Sequence, residues 1–150
     1  MTLMIEDASL RHLDRLYEIE TKCFNKEAFT KQQIASLLSD YNSVSLVAKE
    51  NGEIIGFIIG IVYVERNSLT GHILTIDILP IHRRKGIAQS LLQKIEKIFK
   101  EKSVKACRLE VREDNIAALG LYQKLGYKKV AKLKNYYRNA HGIYLKKDLT

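Results

Sequence analysis

The chain is predicted to fold as one α/β domain, a mixed β-sheet with helices on both of its faces. Three observations carry this. The hydrophobic periodicities run strand, helix, helix, strand, strand, strand, helix, strand, helix, strand, strand. Residues 72–126 read strand, helix, strand, helix, a pattern that requires a crossover. Asn51-Gly52 joins two strand-like runs and suits the positive backbone angles of a two-residue hairpin turn.

Taken in order, residues 3–5 make a short strand, after which Ser9 caps a helix with Leu10, Leu13, Leu16 and Tyr17 on one face. Thr30 and Gln33 form a capping box that opens a second helix carrying Ile34, Leu37 and Leu38, which leaves residues 24–29 as a connecting loop. Residues 44–49 and 54–64 are the strands of the hairpin. The next strand covers 72–79 and stops at Pro80, which cannot donate to a sheet ladder. Residues 86–102 form a helix with Ile87, Leu91, Leu92, Ile95, Ile98 and Phe99 along one stripe. Residues 106–111 are a strand. Asn115 then caps a helix bearing Ala118, Leu121, Tyr122 and Leu125, which Gly126 ends. Strands at 128–133 and 143–147 close the chain around a polar, aromatic loop at 134–142. There is no internal repeat, low-complexity tract or linker.

A chain of 150 residues can bury about 70% of its unfolded surface without disulfides or metal. Its 25 Lys and Arg against 17 Asp and Glu, a net +8, favour polyanionic partners: a phosphorylated cofactor or ribosome-associated RNA. Charge alone does not choose between them. Cys23 and Cys107 are too few for a disulfide framework and read as reduced thiols of a cytosolic protein. No run of about 18 apolar residues exists, and Glu6 and Asp7 stand early in the chain, so neither a membrane span nor a signal peptide is expected. The expected location is the cytoplasm.

Residues 76–88 carry the first chemical signal: a buried-type strand, a proline stop, the cations Arg83, Arg84 and Lys85, then Gly86 opening a helix with Ile87 and Ala88. A helix start offers unpaired N–H groups and partial positive charge, so this segment is an anion-binding device. It lacks the GK[ST] ending of a P-loop and the three glycines of a dinucleotide fingerprint, and so reads as a pyrophosphate cradle without metal chemistry. Without further signal it could equally be a solvated basic turn before an amphipathic helix.

The hexapeptide Arg83 to Ala88 resembles the acetyl-CoA signature of the GNAT superfamily of N-acetyltransferases, Arg/Gln-x-x-Gly-x-Gly/Ala, with Arg83, Gly86 and Ala88 filling it. Residues 109–122, followed by Lys124-Leu125-Gly126-Tyr127, are similar to the RimI and Ard type of protein N-terminal acetyltransferase, and Tyr136-Tyr137 are like the paired tyrosines of that group. The resemblance implies the GNAT fold, a mostly antiparallel central sheet of about seven strands. It further implies acetyl-CoA as donor, protein N-termini as substrate, a possible ribosomal setting, and no metal, membrane or sequence-specific nucleic-acid partner. Cofactor contacts are expected at Ile78, Leu79, Arg83, Arg84, Lys85, Gly86, Ile87, Ala88, Asn115 and Tyr122.

Amide formation from a thioester needs a neutral amine, stabilisation of an oxyanion, and a proton for the leaving thiolate. An α-amine of pKa about 7.7–8.0 is already partly neutral near pH 7, whereas a lysine at about 10.4 is not, so a modest base suffices for an N-terminus. Glu110 alternates with Leu109 and Val111 and therefore leaves the opposite sheet face. The resemblance makes it a base, while its residue type alone also allows a simple pairing with Arg108 or Arg112. His72 is the second candidate base and could instead be an ordinary strand-edge residue. Tyr122 is the candidate acid for the thiolate, with core packing as the alternative. Asn115 reads as an N-cap that also touches the cofactor arm in the family. Backbone N–H groups near Ile78 and Leu79 are expected to hold the oxyanion if the strand there splays.

Glu27 and Phe29 in the 24–29 loop, with Tyr136 and Tyr137, are expected to hold the acceptor. A solvated Glu27 and tyrosines that only shield the core edge are the plainer readings. The chain departs from the RimI pattern at residues 138–145 and in the loop at 24–29, so the preferred N-terminal residue does not carry over. Two rivals remain: a lysine or small-amine acetyltransferase on the same fold, and a basic RNA- or ribosome-binding module without catalysis. The basic residues are dispersed and no stacking motif interleaves them, which weighs against the second.

Overall fold

A computed structural model describes residues 2–24 and 26–150. The elements are β1 (Leu3–Asp7), a 3-10 turn (Leu10–His12), α1 (Leu13–Cys23), α2 (Lys31–Ser39), β2 (Ser43–Glu50), β3 (Glu53–Glu65) and β4 (Ser68–Ile78). A second 3-10 turn (Pro80–His82), α3 (Ile87–Glu101), β5 (Ala106–Arg112), α4 (Ile116–Lys124), β6 (Lys128–Tyr137) and β7 (Ala140–Asp148) follow. The strands form one seven-stranded sheet in the order β1-β2-β3-β4-β5-β7-β6. Every neighbouring pair is antiparallel except β4 and β5, whose parallel pairing is the expected crossover through α3.

The two sheet faces carry separate cores. Leu16 and Ile19 of α1 and Ile34 of α2 pack on Val47, Phe57, Ile59 and Leu79. On the other side Leu91, Leu92, Ile95 and Phe99 of α3 and Tyr122 of α4 pack on Leu46, Ala48, Ile58, Ile73, Leu109 and Leu145. Successive strand residues point to opposite faces, so Phe57 and Ile59 serve one core while Ile58 between them serves the other.

Three details depart from the expectations. Ser9 precedes a 3-10 turn rather than the α-helix itself, and α1 begins only at Leu13. Its buried stripe is Leu16, Ile19 and Glu20; Leu10 and Tyr17 are exposed, because the 3-10 turn breaks the angular register that a continuous helix would have kept. β4 starts at Ser68 rather than at residue 72: Arg66 and Asn67 adopt φ of 51° and 66°, which makes a second tight hairpin without a glycine. The region at 134–142 is the tip of the β6–β7 hairpin, not a separate loop; Tyr137 pairs with Ala140, and the register slips between Leu133 and Tyr137. The Asn51-Gly52 turn is as expected, with φ of 53° and 83°, and Thr30 and Gln33 cap each other reciprocally at 3.1 and 2.8 Å.

Candidate active site

β4 and β5 are paired only at Thr70 with Ala106, Gly71 with Cys107 and His72 with Arg108. Beyond those residues both strands continue but part, opening a gap in the middle of the sheet. On its other edge β4 stays paired with β3, and Leu79 N–H donates to Ile55 O at 2.9 Å. Antiparallel pairing alternates the direction of backbone groups, so with Leu79 facing β3, the N–H groups of Ile76 and Ile78 face the gap. The expected splay is therefore present. Leu79 is corrected as an oxyanion donor, since its N–H already has an acceptor.

Below the gap lies the segment expected to cradle an anion. Pro80–His82 turns the chain, Arg84 and Gly86 take φ of 64° and 81°, and Gly86 caps α3. A Cβ on Gly86 would meet nothing within 4 Å, so glycine serves here for its backbone angle and leaves open space before the helix. The first intrahelical acceptor is Gly86 O, bonded by Ser90 N–H at 3.0 Å, so the amides ahead of Ser90 have no acceptor within the helix. No acidic residue stands in the first turn of α3. This set of free amides beside open space at Gly86 fits a pyrophosphate. The Ile87 side chain is buried in the core, which leaves only its backbone for a ligand, and Ala88 is half-buried.

The three cations differ in their partners. Arg83 Nε donates to Ile78 O at 3.0 Å, while Lys85 lies 3.8 Å from Glu50 Oε1. Arg84 forms no ion pair among the described residues.

At the upper end of the gap, Glu110 and His72 meet across it, Oε1 to Nε2 at 2.6 Å. Arg108 Nη2 and Nε donate to Glu110 Oε2 at 2.8 and 3.3 Å, and the Arg108 guanidinium stacks 4.3 Å above the Tyr144 ring. Burial raises the Glu110 carboxyl, but the hydrogen bonds from His72 and Arg108 outweigh it and hold the pKa below the ordinary value. A carboxylate only accepts, so His72 Nε2 carries the proton of that bond and Nδ1 is the ring nitrogen left with a lone pair. The pairing with Arg108 that the sequence allowed is real, and it coexists with the His72 contact. Tyr63, which sequence reasoning did not single out, receives Arg108 Nη1 at 3.3 Å and donates to Glu65 at 3.1 Å. It sits in the segment leading into the glycine-free hairpin, where no motif marks it.

Tyr122 is buried, edge-to-face with Tyr127 at 6.0 Å. Its hydroxyl makes no side-chain hydrogen bond among the described residues. Burial pushes the phenol above its ordinary pKa, so it stays protonated. Asn115 Oδ1 accepts from Ala118 N–H at 3.1 Å, as an N-cap should.

Glu27 is not simply solvated. Its carboxylate accepts from Arg112 Nη1 at 2.9 Å and from the Arg138 N–H at 3.3 Å, and so ties the loop before α2 to the β6–β7 hairpin tip. Tyr137 lies under the Arg112 guanidinium at 5.6 Å and meets Tyr136 edge-on at 4.9 Å. Tyr136 packs over Gly142 and is 52% exposed. Burial, with a further push from Glu110, raises both phenols. Phe29 packs in the α1–α2 core, and its N–H donates to Glu20 at 3.0 Å.

Comparison with known proteins places these features in context. Residues 13–127 match the family described as Acetyltransferase (GNAT) family. The chain is 31% identical to an N-alpha-acetyltransferase of Sulfurisphaera tokodaii over 94% of its length and 89% of that protein's. It is 35% identical to the [ribosomal protein bS18]-alanine N-acetyltransferase of Haemophilus influenzae, over 86% and 84%. A crystal structure of the NatC complex bound to Gag peptide and CoA shares the fold, with a TM-score of 0.92 at 20% identity over the whole of both chains.

Proposed function

Because the chain belongs to the GNAT family of acetyltransferases and is an acetyl-CoA-dependent enzyme, we propose that it acetylates the N-terminal α-amine of proteins, ribosomal proteins among them, in the cytoplasm. The observation that carries the choice of acceptor is the corner built by Glu27, Arg112 and Tyr137. It closes the loop before α2 against the β6–β7 tip, on the side of the sheet where His72 and Glu110 stand. An extended peptide end fits between two such walls, with its amine toward the gap. Among the described residues no helix is long and apolar enough to cross a membrane.

Bound acetyl-CoA supplies an activated thioester. Its pyrophosphate would be held by the amides of residues 86–88 with Arg84, and Asn115 and Tyr122 would border its arm. The N–H groups of Ile76 and Ile78, already aimed into the gap and fixed by the β3 ladder, would meet the carbonyl oxygen without reorganisation. His72 accepts the amine proton at Nδ1, directly or through a water. Glu110 orients the ring from Nε2 and stabilises the imidazolium that forms, while Arg108 keeps the carboxylate charged. Tyr122 holds the proton that the departing thiolate takes, because a phenol raised by burial is reliably protonated at neutral pH.

Incubation with acetyl-CoA and peptides beginning with Ser, Ala, Met or Glu, beside a blocked peptide containing Lys, tests the reading by mass spectrometry. Acetylation of free N-termini is expected. Acetylation confined to the blocked lysine peptide would overturn it.

A further inference from the structure

A pair of buried acids lies between the gap and the loop before α2, and the reaction scheme above leaves it unused. Thr75 Oγ stands 2.6 Å from Asp77 Oδ1 and 3.1 Å from Glu20 Oε1. Both acids are 1% exposed, and Asp77 Oδ2 is buried with no partner. A hydroxyl has one proton to donate. Were both acids ionised, one of these contacts would set two acceptor oxygens face to face. One acid must therefore carry a proton and donate it to Thr75, while Thr75 donates to the other.

Asp77 is the protonated partner. Its contact with Thr75 is the shorter, and its second oxygen has no donor to support a charge. Glu20 Oε2, by contrast, has a donor in the Phe29 N–H at 3.0 Å. The surroundings agree. Glu20 and Cys23 face Asp77 from α1 and Tyr122 from α4, while Arg83 brings a cation from beyond the second 3-10 turn. Burial first, and then Glu20, push the Asp77 carboxyl well above its ordinary range.

The chain of contacts Asp77–Thr75–Glu20–Phe29 runs from the residue beside Ile78 to the loop that also presents Glu27. We propose that Glu20 and Asp77 share one proton through Thr75 and that this proton holds the loop, through Phe29, in the shape that receives the acceptor amine. Asp77 is then a positioning residue for the acceptor. Loss of the shared proton sets two carboxylates across one hydroxyl, and their repulsion draws Glu20 off the Phe29 N–H. The acceptor role of the loop rests on the proposed function; the shared proton does not.

The test compares wild type with Asp77→Asn, which keeps the shape and copies the neutral acid. In wild type at pH 7.5, carbon-13 NMR of the carboxyl groups is expected to find one of the two acids protonated. As pH rises toward the point at which that proton leaves, amide exchange at Phe29, corrected for its intrinsic pH dependence, should rise about tenfold per pH unit in wild type and level off beyond it, and should stay flat throughout in Asp77→Asn. The acceptor KM at saturating acetyl-CoA should follow the same pair of curves, while the pH profile of kcat stays common to both. Two ionised carboxyls at pH 7.5, or superimposable exchange and KM profiles, would overturn the proposal. If Asp77→Asn does not fold, Glu20→Gln also removes one charge while keeping an acceptor for Phe29, and must give the same flat profiles. If no peptide N-terminus is acetylated at all, the proposed function fails, and NMR and exchange still decide the shared proton.

Discussion

Replacing Glu110 by Gln tests the centre of the scheme. The wild-type carboxylate accepts two bonds from Arg108 at 2.8 and 3.3 Å and one from His72 at 2.6 Å. Gln retains a carbonyl for Arg108, but its NH2 then faces a ring nitrogen that itself carries a proton, so His72 must change tautomer or turn away. Removing one partner of a fully buried ion pair costs about 3–5 kcal/mol; Arg108 is a quarter exposed, which reduces the expected loss to about 2 kcal/mol. For a chain of this size that is roughly a 4–8 °C fall in Tm. The difference depends on pH. Because the folded carboxyl is held below its ordinary value of 4.5, its contribution is complete above pH 4.5 and fades as pH falls toward the folded pKa, where the two proteins converge. Catalysis should fall more steeply, with kcat down about 10²–10⁴-fold at pH 7.5 through the misplaced base, and KM for acetyl-CoA unchanged because the cradle lies at the other end of the gap. His72→Gln should lose a similar factor, and the double variant little more than either, since the two act as a unit. Thermal melts from pH 4 to 8 and steady-state kinetics read all of this. A Tm loss with wild-type kcat would reduce Glu110 to a structural counter-ion, and multiplicative losses in the double variant would refute the coupled His72–Glu110 arrangement.

Tyr122→Phe removes a hydroxyl with no side-chain hydrogen bond among the described residues and should leave Tm nearly unchanged while kcat falls about 10²-fold or more; equal turnover across pH 6–9 would make Tyr122 a packing residue. Gly71→Ala places a Cβ 2.5 Å from the Phe99 ring, so a loss of about 1–3 kcal/mol is expected from overpacking, seen as a lower urea midpoint with an unchanged slope. An unaffected midpoint would mean that Phe99 can move aside.

The exposed lysines of β6, Lys128, Lys129, Lys132 and Lys134, illustrate why net charge was a weak guide to partners. They line the edge strand of the sheet, where charge also serves to prevent pairing with another chain. Helix and strand identities were readable because each depends on short-range periodicity and on local caps, as at Thr30 and Asn115. Errors arose where local signals were absent or ambiguous. The Arg66-Asn67 turn has no glycine to announce it, and the 3-10 turn at Leu10–His12 shifts the buried face of α1 by an angle that sequence spacing does not encode.

Sequence alone was enough to settle the fold class and the family resemblance, and to single out Arg83–Gly86 as a candidate cradle, because each is written in contiguous residues. Only tertiary structure could bring together residues far apart in the chain: His72 with Glu110, Glu27 with Arg112, and Glu20 with Thr75 and Asp77. These pairs decide which carboxyl is charged and which holds a proton. Burial and hydrogen-bond partners set protonation, and neither belongs to any residue until the strands part and the helices close over them.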